Sequence, residues 1–225
     1  LPFGKTKNRP NRIELKPLVE IDGRLVFSPV RTGLLRERWV RGIAERFIPA
    51  KAAFPSLNTV MGNWKRRYEK ALEKDVQNCF LREGFSQKHV FRGIDLYKKG
   101  DHPQQLGDYD GLAYNPSTET IWAIECKEFE KIESAYDYMQ LQSRWFGEKG
   151  KLLKFERRIE YLRDNLDEVA ADLGFEHTGT LHIRPYLVSN KLFVNAIGQS
   201  SFQVVTLSEL ESLLEEERSG SKLNS

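Results

Sequence analysis

Two neighbouring stretches of the chain carry acidic side chains and a lysine at a spacing that suits metal-assisted chemistry. Asp108 and Asp110 alternate in the first apolar stretch, and Glu125 and Lys127 alternate in the second. Residues two apart on a β-strand share one face of the sheet. Carboxylate oxygens are the ligands that Mg²⁺ and Mn²⁺ prefer. The spacing therefore predicts a site for a divalent metal ion on paired strands.

A four-residue turn at 116–119 sets how the two stretches pair. It places Asp110 opposite Glu125 and Asp108 opposite Lys127, and cross-strand partners point to the same side. Burying several charges among apolar neighbours costs many kcal/mol unless they are compensated, and a divalent cation compensates them. The alternative is an edge hairpin whose charges face water, with Lys127 pairing to Asp108.

With a glutamate from an upstream helix, these residues resemble the core of the PD-(D/E)xK, or restriction-endonuclease-like, nuclease superfamily. Glu73 supplies the glutamate, and Glu69, one turn earlier, is a competing candidate. The small or apolar residues and the glycine of the family pattern follow Glu73 at offsets of three, seven and eleven, as Val76, Phe80 and Gly84. Tyr109 stands where many members have proline before the aspartate.

The resemblance implies a metal-dependent nuclease and a role for each matching residue. Asp110, Glu125 and the backbone carbonyl of Cys126 would hold Mg²⁺ or Mn²⁺. Lys127 would orient or deprotonate the attacking water, and Glu73 would hold a second metal or its water shell. The implied activity is that of a DNA endonuclease of the restriction, mobile-element or anti-phage type.

Some residues outside this core are further candidates. Asp108 and Gln140 are possible accessory residues, the glutamine because it follows the active strand on a predicted helix. A basic run is a candidate contact for nucleic-acid phosphates, and it comprises Lys149, Lys151, Lys154, Arg157 and Arg158. The alternative for this run is pairing with glutamates about one helical turn away.

The elements that must position these residues follow from hydrophobic periodicity and turn signals. The pattern predicts an α/β fold in which helices flank a central mixed β-sheet, preceded by an N-terminal hairpin-plus-helix extension. The predicted elements are a hairpin over 18–27, a helix over 34–47, a loop over 55–62, a helix over 64–82, strands over 88–96, 108–114 and 120–127, helices over 132–146 and 152–173 with a break near Asn165, strands over 180–188 and 202–205, and a helix over 207–217.

Charge is distributed unevenly along the 225 residues, although the net charge is only +3. Up to Arg67, Lys and Arg outnumber Asp and Glu by 15 to 5, whereas after it Asp and Glu lead by 27 to 20. We therefore divide the chain into a basic extension at 1–61, which would fit the end of a larger protein, a nuclease domain at 62–218 and a disordered tail at 219–225.

Composition narrows the setting of this activity. No run approaches the roughly 18–20 apolar residues that a membrane span needs, and two cysteines are too few for a disulfide framework. We expect a cytoplasmic protein that acts on DNA without a membrane partner, with a homodimer or a larger complex left open. Two alternatives remain: a catalytically inactive nuclease-fold module for nucleic-acid binding or scaffolding, and an RNA-processing nuclease on the same core.

Overall fold

The computed structural model describes residues 18–44, 55–129, 135–147, 150, 152–191 and 201–223. The described residues fall into two compact units, one up to Arg67 and one from Tyr68 onward. The second unit carries Glu73, Asp110, Glu125 and Lys127.

The first unit contains the predicted N-terminal hairpin and a helix. Strands β1 (Leu18–Ile21) and β2 (Arg24–Phe27) pair antiparallel. Asp22 and Gly23 form the turn with φ of 50° and 74°, which fits the Asp-Gly preference of two-residue hairpin turns. Helix α1 (Pro29–Ala44) begins five residues earlier than predicted, and the predicted end at 47 lies outside the described residues.

Helix α2 (Pro55–Arg82) replaces the predicted loop over 55–62, so that part of the prediction is wrong. Proline is favourable at the first helical position because the N–H that it lacks would have no intrahelical partner there. Gly84 follows the helix at a φ of 91°, and the Phe85 N–H donates to the Phe80 carbonyl at 3.1 Å. This is the glycine C-terminal cap that the sequence predicts.

The predicted mixed sheet is confirmed and has five strands in the order β3-β4-β5-β6-β7. The β3–β4 and β4–β5 pairs are antiparallel, and the β5–β6 and β6–β7 pairs are parallel. Asn115 pairs with Thr120, as the predicted register requires. The strands are β3 (Val90–Asp95), β4 (Asp108–Asn115), β5 (Thr120–Lys127), β6 (His182–Ser189) and β7 (Gln203–Val205).

The described residues contain four more α-helices, three between β5 and β6 and one after β7, and the predicted break near Asn165 separates two of them. The Asn165 side chain donates to the Tyr161 carbonyl at 2.8 Å, where the backbone leaves helical geometry. The last helix passes the predicted start of a tail at 219, and the Ser219 hydroxyl donates to the Glu215 carbonyl at 2.8 Å. These helices are α3 (Ala135–Phe146), α4 (Leu153–Asp164), α5 (Leu166–Asp172) and α6 (Leu207–Leu223).

Both faces of the sheet are covered, so β5 is buried on each side. Val76 and Phe80 of α2 and Leu210 of α6 pack on one face. Leu162 of α4 and Val169 of α5 pack on the other. None of the helices in the described parts of the chain has the length and apolar character of a membrane span.

Candidate active site

The candidate site lies where β4 and β5 stop pairing. Their ladder runs from Asn115 and Thr120 to Gly111 and Ile124. Beyond this point the carboxylate of Asp110 takes the place of a backbone partner, because its Oδ2 accepts a hydrogen bond from the Cys126 N–H at 2.8 Å. A side chain thereby bridges the ends of the two strands.

Three oxygens meet at the ammonium group of Lys127. Its Nζ lies 2.7 Å from Glu125 Oε1, 3.2 Å from Asp110 Oδ2 and 2.9 Å from the carbonyl oxygen of Cys126. These are the three groups that the family resemblance assigns to a metal. The structure thus brings Asp110, Glu125 and the Cys126 carbonyl together around the ammonium nitrogen of Lys127.

The site is shielded from water, which changes the proton affinity of its members. Only 9% of the Glu125 side chain and 16–18% of the Asp110 and Lys127 side chains are exposed. Burial raises the pKa of Glu125, although the positive charge of Lys127 opposes the shift. Burial alone would lower the pKa of Lys127, but the two carboxylates outweigh it and the pKa is raised, so this lysine keeps its charge at neutral pH.

Glu73 on α2 is electrostatically coupled to these residues. It is half-buried, and burial raises the pKa of its carboxyl group, with a further increase from the negative charge of Asp110. The positive charges of Arg92 and Lys127 act in the opposite direction. Glu69, the competing candidate, is also half-buried, and the choice of Glu73 as the helix-borne acidic residue stays a prediction.

A fourth member of the site, Arg158 on α4, joins both strands. Its guanidinium pairs with Glu125 Oε2 and donates to the backbone carbonyl of Asp108. Only 6% of Arg158 is exposed. We refer to Asp110, Glu125, Lys127 and Arg158 as the strand cluster.

The burial of Arg158 differs from the sequence-based expectation of a surface phosphate contact. The residue lies three positions after Phe155 and four before Leu162, which are both buried, so it belongs to the inner face of α4. The spacing was readable from the sequence, but the basic neighbours obscured it. Lys154 and Arg157 of the same run are exposed, whereas Lys149 and Lys151 lie outside the described residues.

The side chains of the two accessory candidates are exposed. Asp108 is exposed, and its backbone carbonyl is the group that Arg158 engages. Gln140 is exposed on α3. Their roles remain predictions.

Strict alternation of side chains along β4 does not hold at Asp110. Tyr109 and Leu112 are three residues apart yet share the core beneath α4 and α5, where a regular strand would place them on opposite faces. The β3–β4 ladder skips the position of Gly93 and Asp110, between the pairs Arg92–Gly111 and Ile94–Tyr109, and Gly93 has a φ of 59°. The β4–β5 register up to Gly111 and Ile124 is as predicted, but the predicted pairs of Asp110 with Glu125 and of Asp108 with Lys127 are not part of the ladder.

A second group of ionisable residues was not identified from the sequence. His102, in the loop before β4, lies with Glu168 and Asp172 of α5, and their potential ligand atoms are within 4.8 Å of one another. We call these three residues the histidine cluster. His102 is buried, with Nδ1 2.8 Å from the Tyr161 hydroxyl and Nε2 3.0 Å from Asp172 Oδ2. Some 60 to 70 residues separate these partners, and no local pattern announces the contact.

Comparison of the chain with protein-family models, with curated proteins and with solved structures yields no match.

Proposed function

We propose that the chain is a metal-dependent nuclease that hydrolyses phosphodiester bonds in DNA. One observation carries the proposal: two carboxylates and a backbone carbonyl converge on one cationic nitrogen in a shielded part of the sheet. Oxygens brought together around positive charge at the ends of two strands form a site that a divalent ion can enter. The resemblance to the PD-(D/E)xK superfamily gives this site its reaction class.

The donor set fits Mg²⁺ or Mn²⁺. Asp110, Glu125 and the Cys126 carbonyl supply only oxygen atoms, which these hard ions select, and water molecules would complete the coordination. Glu73 would hold a second ion or its water shell. When bound, the metal would polarise the scissile phosphate and lower the pKa of a coordinated water.

The remaining work falls to side chains of the chain itself. Lys127 donates N–H groups beside the carboxylates, so it would orient the attacking water and balance the negative charge of the phosphate in the transition state. The Cys126 N–H fixes one oxygen of Asp110. Arg158 fixes one oxygen of Glu125. The ligands are thereby oriented before substrate arrives.

Charge and cysteine usage support the choice of substrate and setting. The basic first part of the sequence, with 15 Lys and Arg against 5 Asp and Glu up to Arg67, would attract the phosphates of DNA. Cys79 and Cys126 are both unpaired and buried thiols, which fits the reducing cytoplasm. We propose an endonuclease that works in the cytoplasm, as a homodimer or in a larger complex where both strands must be cut.

A cleavage assay tests the proposal. The full chain is incubated in Mg²⁺ with supercoiled DNA, linear duplex DNA, single-stranded DNA and RNA, and the products are separated on gels. We expect the wild type to cut DNA, and Asp110→Asn and Lys127→Met to be inactive. Lys98→Met is the matched control, because Lys98 is exposed and pairs with Asp95 outside the site.

Each result of this assay has a distinct meaning. Cleavage confined to RNA would favour the RNA-processing alternative. DNA binding without cleavage by the wild type would favour the inactive module. Undiminished cleavage by Asp110→Asn or Lys127→Met would refute the assignment of these residues.

A further inference from the structure

Arg158 connects the two strands that carry the candidate metal ligands. One terminal nitrogen of its guanidinium donates to the Asp108 carbonyl on β4, and the other pairs with Glu125 Oε2 on β5. The connection lies just past the last β4–β5 pair, Gly111 with Ile124, where backbone hydrogen bonds no longer fix the separation of the strands. At the site, Arg158 thus links β4 and β5 where the backbone hydrogen bonds between them have ended.

The side chain of Arg158 is itself firmly held. Its guanidinium carbon lies 5.5 Å from the ring centres of both Tyr109 and Phe155. The Tyr109 hydroxyl donates to the backbone carbonyl of Arg158 at 2.7 Å. Helix α4 and strand β4 are therefore joined in both directions, from arginine to strand and from tyrosine to helix.

The chemistry of this link is specific to arginine. A guanidinium presents several N–H groups in a rigid fork and can serve two acceptors at once, whereas an ammonium is a single point of charge. The two oxygens of Glu125 are consequently divided, with Oε2 on Arg158 and Oε1 on Lys127. Only Oε1 faces the position where the three oxygens converge.

We infer that Arg158 is a positioning residue for the metal site, holding Glu125 by one oxygen so that the other is presented to the ion. The inference rests on the proposed metal-dependent function and adds a residue that the family pattern does not contain. Partners that orient metal ligands typically change metal affinity or activity about 10–100-fold when they are removed. The geometry of Arg158 makes it such a partner.

Substitution of Arg158 by lysine tests the inference because the charge is kept while the fork is lost. Calorimetric titration of the full chain with Mg²⁺ is expected to show affinity weakened about tenfold or more in Arg158→Lys. In the cleavage assay kcat should fall at saturating DNA while KM for DNA stays unchanged. Arg163→Lys is the matched control, because Arg163 lies on the same helix but is exposed and donates to the Ser201 carbonyl instead of to the strand cluster.

A purely structural role predicts a different result. It would lower the thermal midpoint of Arg158→Lys but leave the Mg²⁺ affinity of the folded protein unchanged. The inference is overturned if folded Arg158→Lys has the Mg²⁺ affinity and the kcat of the wild type. Should this variant not fold, Tyr109→Phe decides, since it retains Arg158 and removes only the hydrogen bond from β4 to the helix. A loss of Mg²⁺ affinity in Tyr109→Phe, smaller than the tenfold expected for Arg158→Lys, supports the positioning role of Arg158. Unchanged affinity overturns that role.

Failure of the proposed function has its own signature in these measurements. If the wild-type chain binds Mg²⁺ but cuts no nucleic acid, the nuclease proposal is refuted. The Mg²⁺ titration then still decides the role of Arg158. A wild-type chain that neither binds Mg²⁺ nor cuts overturns both.

Discussion

The strand cluster and the histidine cluster both gather potential metal ligands, but they differ in how their charges are satisfied. In the histidine cluster, His102 has one partner for each ring nitrogen. Glu168 and Asp172 are exposed, so water solvates their carboxylates. In the strand cluster, Asp110 and Glu125 are largely shielded, and their oxygens share the ammonium of Lys127.

This contrast shows that closeness of ligand types is a weak sign of function. The histidine cluster has the spacing of a metal site, but the hydrogen bonds of His102 to Tyr161 and Asp172 tie the loop before β4 to α4 and α5. In the strand cluster burial raises the pKa of Glu125, and it also raises the pKa of Glu73 on α2. Buried negative charge is costly unless a cation compensates it, and in the strand cluster Lys127 and Arg158 supply that compensation.

The largest expected difference between the clusters is in metal binding. Asp110→Asn should lower Mg²⁺ affinity by at least about 100-fold, because it removes a charged ligand while leaving an oxygen to accept the Cys126 N–H. Asp172→Asn, the same change in the histidine cluster, should leave Mg²⁺ affinity unchanged. Calorimetric titration measures both. Loss of binding in Asp172→Asn alone would reverse the assignment of the two clusters.

The next effect concerns stability and should be confined to the histidine cluster. His102→Ala removes a buried ring and leaves the Tyr161 hydroxyl and Asp172 without their partner, so the free energy of unfolding should fall by about 2–4 kcal/mol. Urea denaturation measures this change. His182→Ala, at an exposed position on β6, should stay within about 0.5 kcal/mol of wild type.

The variant His102→Ala also separates a structural role of the histidine cluster from a catalytic one. Under conditions where His102→Ala is folded, its Mg²⁺-dependent cleavage should equal that of the wild type. A folded His102→Ala protein without activity would contradict a purely structural histidine cluster.

Lys127→Met should separate metal binding from catalysis. The substitution removes the cation that contacts all three oxygens, so the carboxylates should bind Mg²⁺ about tenfold more tightly, although cleavage is lost. Lys98→Met, which removes an exposed ammonium, should change neither quantity. Weaker Mg²⁺ binding in Lys127→Met would show that the lysine supports the metal site instead of competing with the ion.

Much of the site could be predicted because it depends on local signals. The turn at 116–119 fixes the β4–β5 register as far as Gly111 and Ile124, one residue short of Asp110 and Glu125. The break at Asn165 and the cap at Gly84 are likewise encoded by single residues. In each case a short stretch of sequence determines the geometry without reference to distant packing.

The parts that escaped prediction depend on long-range packing. Arg158 is 33 residues from Glu125 and looks like one member of a basic surface run. The partners of His102 lie 59 and 70 residues away. The loop prediction at Pro55 fails because proline both ends and begins helices, and only the helix that follows shows which of the two applies.

The irregularity at Gly93 and Asp110 is explained neither by a local sequence signal nor by long-range packing. The substitution that tests it has the smallest expected effect on stability. Gly93→Ala places a side chain at a φ of 59° with no atom within 4 Å of its Cβ. The cost is thus conformational only and should be about 1 kcal/mol of unfolding free energy. Gly174→Ala, at a φ of 71° and equally open after α5, should cost a similar amount.

Activity distinguishes these two glycines where stability does not. If the left-handed residue in β3 allows Asp110 to leave the ladder and reach the Cys126 N–H, relaxation of Gly93→Ala toward a regular strand should displace Asp110. Mg²⁺ affinity and kcat should then fall in Gly93→Ala but not in Gly174→Ala. Equal kcat in the two variants would mean that the hydrogen bond to Cys126 holds Asp110 without the irregularity in β3. The strand cluster would then depend on side-chain contacts alone, including those of Arg158.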